Sequence, residues 1–245
     1  MAEHYNRAAE RGVPSLVWRA GQQRRLEMIR QAAGERMHGS ILVDGCGLGT
    51  YLERLAEGAE IAAGLDIEFE RVREAHENGL AVVCGAGEHL PFVSERFDLV
   101  LSHEVLEHVA DDRQSMAEML RVLKPGGRLA LFVPNRGYPF ETHGIYWRGK
   151  YHFGNIPLVN YLPRRWRDRL APHVRLYTRR NLKRLLAELP AQVIVQTTIF
   201  GGYDNIIGRF PRLGRLLRGT LQALERTPLR ALGLSHFWVI EKTAN

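Results

Sequence analysis

Cysteines are scarce in this sequence, and it has no long apolar run. The two cysteines, Cys46 and Cys84, lie in or beside predicted buried strands, so we expect small core residues rather than a disulfide. No stretch approaches the ~18 consecutive apolar residues that a membrane-spanning helix needs. The first residues, MAEHYNRAAERG, are too polar for a secretory signal. Together these features favour a cytoplasmic protein.

Signatures of nucleic-acid binding and of repeat architecture are also missing. The sequence contains no recognition-helix, RNA-binding or metal-finger motif and no internal repeat, so we expect no nucleic-acid partner. Its hydrophobic fraction of 45% is typical of a globular chain. A length of 245 residues fits a single domain over residues 1–245, with room for insertions.

The net charge of +7 is unevenly distributed along the chain. Segment 134–177 contains eight Arg and Lys residues against two acidic residues, and segment 201–233 contains six Arg against two acidic residues. The rest of the chain carries slightly more acidic than basic residues. Because the basicity belongs to two segments, we expect those segments to contact something anionic or interfacial.

The stretch ILVDGCGLGT, residues 41–50, combines a short buried strand, a glycine turn and the start of a helix. Asp44 ends the strand. Glycines then turn the chain and leave bare backbone where a ligand can approach, at Gly45, Gly47 and Gly49. Thr50 is predicted to cap the helix, with Glu53 completing a capping box. This arrangement is typical of the cofactor end of an open α/β sheet.

The glycine spacing separates two classes of nucleotide cofactor. A dinucleotide site requires G-x-G-x-x-G, whereas Thr50 stands here where the last glycine of that pattern would fall. The run VDGCGLG, residues 43–49, instead resembles the first motif of class I S-adenosylmethionine (SAM)-dependent methyltransferases. An NAD-dependent oxidoreductase on the same topology is the less favoured alternative.

Three further stretches resemble the same family and follow in the family's order. They are GAGEHLPF at 85–92, FDLVLSHEVLEHV at 97–109 and LKPGG at 123–127. The resemblance covers residues 41–134 and implies SAM as cofactor, with S-adenosyl-L-homocysteine as product. It also implies an α/β, Rossmann-like, seven-stranded doubly wound sheet with an antiparallel last strand, here with two helical insertions.

The resemblance also implies a set of cofactor-binding residues. Asp66 follows Asp44 by 22 residues, near the ~20-residue spacing at which an acid meets a ribose hydroxyl, although it also suits a helix N-cap. Ala86 stands where the family usually has aspartate, so adenine recognition falls to the backbone at Ala86 and Gly87 or to Glu88. The full predicted set is Asp44, Gly45, Gly47, Gly49, Asp66, Ile67, Ala86, Gly87, Glu88 and Ser102.

Three segments lie outside the predicted sheet. Residues 13–38 form a predicted helical lid, in which Arg19 is a candidate partner for the SAM carboxylate. Segment 134–177 leaves the sheet beside the cofactor and holds nine of the 21 aromatic residues, which indicates an acceptor pocket or a packed structural subdomain. Segment 201–233 alternates arginines with apolar residues, which suits a membrane interface or an ordinary surface helix.

Histidines are the candidate bases, because an oxygen acceptor must lose a proton and imidazole titrates near neutral pH. We select His143 first and His103 second, and expect His108 to be structural. Glu104, Glu107 and His108 have i, i+3, i+4 spacing and resemble a run in the ubiquinone-biosynthesis O-methyltransferases that is linked in some members to a divalent cation. A packed histidine beside acids near a helix start explains the same run, so we assign no metal ligand.

The predicted function is methyl transfer from SAM to an oxygen of a hydrophobic small molecule. A quinone precursor, a lipid or isoprenoid, and an aromatic natural product all fit a hydrophobic or aromatic acceptor. The two basic segments allow peripheral contact with the inner face of a membrane. A SAM-binding or membrane-associated module without catalysis is the alternative outside the enzymes.

Overall fold

The computed structural model describes residues 18–244. Its α-helices are α1 (Ala20–Ala33), α2 (Thr50–Ala56), α3 (Phe69–Glu77), α4 (Asp112–Val122), α5 (Arg164–Leu170), α6 (Arg179–Leu186), α7 (Asp204–Arg209) and α8 (Pro211–Leu224). Its strands are β1 (Ser40–Asp44), β2 (Ile61–Asp66), β3 (Val82–Cys84), β4 (Phe97–His103), β5 (Leu123–Pro134), β6 (Phe140–Glu141), β7 (Ile145–Trp147), β8 (Lys150–His152), β9 (Ile156–Pro157), β10 (Ala191–Ile199) and β11 (Ser235–Lys242). Short 3₁₀ turns cover Gly34–His38, Val159–Tyr161 and Pro228–Leu232.

Seven strands form the main sheet in the order β10-β11-β5-β4-β1-β2-β3. β1 pairs in parallel with β2 and β4, and β4 pairs in parallel with β5. β11 lies between β5 and β10 and is antiparallel to both. The fold class predicted from the sequence is therefore confirmed, including the position of the last strand.

Apolar side chains on both faces of the sheet explain why its central strands read as continuous hydrophobic runs. All five residues of β1 are buried. Leu42 packs on one face with Met116 of α4, whereas Ile41 packs on the other face with Leu26 of α1 and Leu55 of α2. The sheet is thus covered by helices on both sides, and its polar groups concentrate where the strands end.

Several local expectations need correction. Thr50 is the first helical residue of α2 rather than its cap, because Gly49 takes the cap position at φ 85° and no side chain caps the helix. Residues 104–109 do not form a helix, since Glu104 has φ 58° and its N–H donates to the Phe132 carbonyl at 3.0 Å. Both cysteines are free as expected, but Cys84 is exposed.

The predicted helix over residues 13–38 is shorter in the structure. Residues 13–17 lie outside the described residues, α1 begins at Ala20, and its C-terminal Gly34 has φ 58°. The chain continues there as a 3₁₀ turn. Arg19, the proposed carboxylate partner, is exposed at the N-cap of α1, where its backbone N–H donates to Gln22 Oε1 at 2.8 Å.

The two insertions differ in kind. The first is mixed rather than helical: β6 pairs with β9, β7 pairs with β8, and α5 follows. It has a small core of its own, made of Ile145, Val159, Ala171 and Val174. The second insertion is helical and consists of α7, α8 and a 3₁₀ turn. Between residues 18 and 244, no helix combines the length and apolarity that crossing a membrane requires.

Candidate functional site

The glycine turn after β1 has the backbone geometry of a ligand cradle. Gly45, Gly47 and Gly49 have φ values of 67°, 56° and 85°, which side chains rarely adopt. A Cβ at Gly45 would lie 2.2 Å from Val105 Cγ2, so this glycine is required by packing. A Cβ at Gly47 would meet nothing within 4 Å, so open space faces the backbone there. The turn therefore presents bare backbone to a ligand.

Asp44 has an unsatisfied carboxylate oxygen at this edge of the sheet. Ser102 Oγ donates to Asp44 Oδ2 at 3.1 Å, whereas Oδ1 is buried and has no partner among the described residues. Burial raises the pKa of Asp44 to about 7, and the nearby carboxylates of Asp66 and Glu88 add to the rise although the Ser102 hydrogen bond opposes it. A buried acceptor without a donor is costly, so Asp44 is suited to a ligand that brings one.

Asp66 connects the glycine turn to the end of β2. Its Oδ2 accepts from the Gly47 N–H at 2.7 Å, and its Oδ1 accepts from the Glu68 N–H at 2.9 Å. Glu68, and not Asp66, is the N-cap of α3. Ile67 beside it is 40% exposed. The carboxylate thus stands where a diol can reach it, and its ribose role stays a prediction.

The stretch 85–92 approaches the same point from β3. A Cβ on Gly87 would lie 3.2 Å from both Asp44 Oδ1 and Ser115 Oγ, so only glycine lets the backbone come this close. Glu88 Oε1 accepts from the Ala110 N–H at 2.6 Å, which commits it to the loop before α4. Ala86 is half-buried. Glu88 Oε1 is thus engaged, and both predicted alternatives for adenine recognition stay predictions.

A single cleft of about 920 Å³ joins this cofactor end to the first insertion. Its cofactor side includes Asp44, Gly45, Asp66, Ile67, Gly87 and Glu88. Its other side includes Glu107, His108, Arg136, His173, Arg175 and Tyr177. Among the nine aromatic residues of the insertion, all of them described, Tyr177 alone lines the cleft. The insertion lines the cleft mainly with arginines, histidine and small apolar residues, and not with the aromatic residues that suggested a pocket.

His143 is oriented by a buried carboxylate that the sequence analysis did not select. Its Nδ1 lies 3.2 Å from Glu141 Oε1, and its backbone N–H donates to the same oxygen at 2.9 Å. Glu141 is fully buried, and Arg167 Nη2 donates to its other oxygen at 3.1 Å. Burial alone would raise the pKa of Glu141, but the His143 hydrogen bonds and the Arg167 charge lower it to about 2. Glu141 is therefore an anion that holds the His143 ring.

His108 lines the cleft, as His173 does, although we expected a structural role for His108. Its Nδ1 lies 3.2 Å from the His173 carbonyl, and its ring centroid is 5.6 Å from that of His143. Donor atoms of Glu107, His108 and His143 lie within 4.8 Å of one another, close enough for a metal ion. This grouping replaces Glu104 of the suggested helical triad with His143, because residues 104–109 are not helical.

Glu104 and Glu107 form a buried carboxyl pair in the wall of the cleft. Ser235 Oγ donates to Glu104 Oε1 at 2.8 Å. Burial and the neighbouring Glu104 carboxylate raise the pKa of Glu107 well above its usual range, whereas the nearby His103, His143 and Arg25 keep the pKa of Glu104 low despite its burial. Two adjacent buried carboxyl groups cannot both ionise readily, so Glu107 holds its proton more tightly than Glu104 does.

His103, the second predicted base, is the last residue of β4. Its ring packs against Tyr51 and Phe132, each at a centroid distance of 5.1 Å, and its Nε2 is buried without a partner among the described residues. Burial lowers its pKa to about 4, with help from the charge of Arg25. Such an imidazole is neutral and weakly basic, and it does not line the cleft.

Arg25 of α1 was also not selected from the sequence. Its charge acts on Tyr51, His103 and Glu104, and its Nε atom is buried without a hydrogen-bond partner among the described residues. The Tyr51 hydroxyl is in the same condition. Two orphaned polar groups, one on α1 and the other in the first turn of α2, indicate that a polar ligand group belongs near them.

Comparison with known proteins agrees with this geometry. Residues 42–131 match the sequence model of a family described as "Methyltransferase domain". The seven-stranded sheet and the glycine turn agree with this match, and residues 42–131 are similar to the methyltransferase domain of class I SAM-dependent enzymes. SAM is the cofactor of that family, and the orphaned Asp44 oxygen and the open space at Gly47 fit a bound ligand of this kind.

The curated relatives each match about half of the chain. Demethylmenaquinone methyltransferase of Corynebacterium urealyticum is 32% identical over 115 residues, which is 47% of this chain and 47% of that protein. Malonyl-[acyl-carrier protein] O-methyltransferase of Herminiimonas arsenicoxydans is 42% identical over 122 residues, which is 49% of this chain and 46% of that protein. The chain thus spans about half the length of these relatives.

Among solved structures, a SAM-dependent methyltransferase from Mesorhizobium loti superposes with a TM-score of 0.63. The two chains share 19% sequence identity over 91% of this chain and 98% of the other. At this identity the likeness establishes the fold alone.

Proposed function

We propose that this chain transfers the methyl group of SAM to an oxygen atom of a hydrophobic small molecule bound in the cleft. The observation that carries the proposal is the continuity of that cleft, which runs from Asp44 and Asp66 to His108 and Tyr177. A donor and an acceptor bound at its two ends would therefore meet within one continuous cleft. Alignment of this kind is the main requirement, because the sulfonium methyl of SAM is already activated.

Different residues of the chain would contact different parts of SAM. The bare backbone at Gly47 lies against open space, Asp66 offers a carboxylate to the ribose, and Asp44 offers its unpaired Oδ1 to a ligand donor. Arg25, rather than the exposed Arg19, is suited to a ligand carboxylate because its guanidinium is half-buried beside the Tyr51 hydroxyl.

Proton removal from the acceptor falls to the His108 and His143 pair. His108 lines the cleft, its Nδ1 lies 3.2 Å from the His173 carbonyl, and its Nε2 lies 3.9 Å from Glu107 Oε1. His143 lies behind it, and the anionic Glu141 stabilises any positive charge that the pair acquires. General base catalysis of this type contributes about 10²–10⁴-fold to a rate.

The acceptor side of the cleft suits a molecule with an apolar body and an anionic group. Arg136 and Arg175 hydrogen-bond to backbone carbonyls and have no carboxylate within 4.0 Å among residues 18–244. The names of two relatives mention demethylmenaquinone, which is a hydrophobic quinone, and malonyl-acyl-carrier protein, which carries a carboxylate. Quinone precursors, lipids and aromatic natural products with an acidic group are accordingly the first acceptors to screen.

Calorimetric titration with S-adenosyl-L-homocysteine, with and without Mg²⁺, tests the cofactor part of the proposal. We expect micromolar binding that does not require Mg²⁺, and no heat from NADH as the control ligand. A panel of acceptors then tests catalysis. His108→Gln and His143→Gln should each lower kcat without changing the binding of S-adenosyl-L-homocysteine. His103→Gln should leave kcat unchanged. Product binding without turnover on any acceptor would favour the module without catalysis.

A further inference from the structure

Helix α8 and the turn before it present an apolar strip to solvent. Phe210, Leu213 and Leu216 are 53%, 61% and 68% exposed. Their spacing of three residues places them along one side of the helix. The opposite side packs inward, since Gly214 is buried and a Cβ there would lie 2.7 Å from the Ile207 backbone of α7. The strip therefore lies on the outer side of a helix pair whose inner side is closely packed.

Arginines accompany the strip on the same exposed surface. Arg209, Arg212 and Arg215 are exposed, and the Arg209 guanidinium lies 5.5 Å from the centre of the Phe210 ring. None of the three has a carboxylate within 4.0 Å among the described residues. Their charges are therefore available to a partner.

The acidic residues of the second insertion are turned away from this surface. Asp204 accepts from the Gly21 N–H at 3.2 Å and lies 4.0 Å from Arg218. Glu225 pairs with Arg24 at 3.0 Å and accepts from the Phe200 N–H at 2.9 Å. Both carboxylates thus attach the insertion to the body of the protein, and the outer surface keeps an unbalanced positive charge.

We propose that the exposed face formed by Arg209, Phe210, Arg212, Leu213, Arg215 and Leu216, here called the α8 face, docks on an anionic lipid bilayer. Leucine and phenylalanine side chains enter the boundary between headgroups and acyl chains, while arginine stems extend so that their guanidinium groups reach the phosphates. A nucleic acid would use the arginines but would leave the two leucines in contact with a charged backbone. The combination of protruding leucines and unpaired arginines favours a bilayer.

The α8 face is also connected to the cleft. Asn135 Nδ2 donates to the carbonyls of Ala231 and Gly233, at 2.9 and 2.7 Å. These contacts join the second insertion to the start of the first, which lines the acceptor side of the cleft. Docking would hold the cleft close to a bilayer that stores hydrophobic acceptors. The docking itself does not depend on the proposed reaction.

Vesicle co-sedimentation tests the α8 face on the full chain. Phosphatidylcholine vesicles with phosphatidylglycerol should bind the protein in a salt-sensitive manner, and vesicles of phosphatidylcholine alone should bind it weakly. Arg212→Glu should weaken binding at least about fivefold, which corresponds to about 1 kcal/mol for one basic side chain. The double change Leu213→Ser with Leu216→Ser should weaken it about tenfold or more. Because these side chains are exposed, the variants should fold normally.

Matched controls lie on other surfaces. Val93, which is 72% exposed before β4, is changed to serine, and the exposed Arg180 of α6 is changed to glutamate. Neither control should alter vesicle binding by more than about twofold. The proposal is overturned if the wild-type chain ignores anionic vesicles, if Arg180→Glu weakens binding as much as Arg212→Glu, or if the leucine variant merely dissociates an oligomer in sedimentation analysis. Preferential binding of duplex DNA through the same arginines would overturn it as well.

Discussion

Replacing Asp44 with asparagine separates two effects of its buried carboxylate: the loss of folding stability that it causes and the ligand binding that it supports. The pKa of Asp44 is raised from 3.8 to about 7 in the folded chain. The folded state therefore binds more protons than the unfolded state between these two pH values, and stability falls as the pH rises through this window. One pKa unit corresponds to 1.36 kcal/mol, so the ionised carboxylate costs the unliganded protein about 4 kcal/mol above pH 7.

We therefore expect Asp44→Asn to stabilise the unliganded protein at about pH 8 by as much as ~4 kcal/mol, and to change its stability much less at about pH 4. Asparagine keeps the side-chain shape and can still accept from Ser102 Oγ. Urea unfolding of both proteins across this pH range measures the difference. The same substitution should weaken S-adenosyl-L-homocysteine binding about tenfold or more, because a charge-assisted hydrogen bond is lost.

Asp98→Asn is the matched control of opposite sign. Although burial alone would raise the pKa of Asp98, hydrogen bonds from Lys124 and the Ser40 N–H lower it. Its carboxylate therefore adds stability above its unfolded pKa, and that stability is lost as the pH falls. Asp98→Asn should destabilise the protein at about pH 8 and leave ligand binding unchanged. If Asp44→Asn also destabilises the protein at that pH, or has an effect independent of pH, then the raised pKa assigned to Asp44 is refuted.

Three further substitutions test other parts of the site. Glu141→Gln should lower kcat about tenfold to a hundredfold with little change in KM, because the His143 ring loses its anionic partner; steady-state kinetics would contradict this if KM alone changed. Gly49→Ala should destabilise the protein by ~1 kcal/mol or more, since a Cβ would lie 2.1 Å from Leu80 at φ 85°, whereas Gly79→Ala, at φ 82° with nothing within 4 Å, should cost less in thermal unfolding. Arg25→Leu should weaken S-adenosyl-L-homocysteine binding about tenfold in calorimetry without altering the binding of adenosine; equal losses for both ligands would contradict a carboxylate contact.

Features that depend on neighbours in sequence were predicted well. The strand predicted to end at Asp44 is β1, because a fully buried strand is a continuous apolar run bounded by a turn. The caps at Asp111 and Thr178 are equally local, since each side chain accepts backbone N–H groups two or three residues ahead.

Local patterns failed where distant packing sets the backbone. The acid and histidine spacing after His103 suggested a helix, but the Glu104 N–H extends the pairing of β4 with β5, and Val105 packs against Gly45. Thr50 and Glu53 matched a capping box, but the left-handed Gly49 already begins the helix, and its carbonyl accepts the Glu53 N–H at 2.8 Å. Neither of these backbone arrangements can be recognised from the spacing of residue types in the sequence.

The sequence by itself determined the sheet, the glycine turn and the class of cofactor, because each is encoded within a short run of residues. Only the tertiary structure decided which histidines stand at the cleft and what holds them. Glu141 meets Arg167 across 26 positions, and His108 meets the His173 carbonyl across 65. Contacts at such separations depend on how the first insertion folds back over the sheet. Burial then converts these contacts into an anionic Glu141, a weakly basic His103 and a partly protonated Asp44, and none of these states can be inferred from residue type alone.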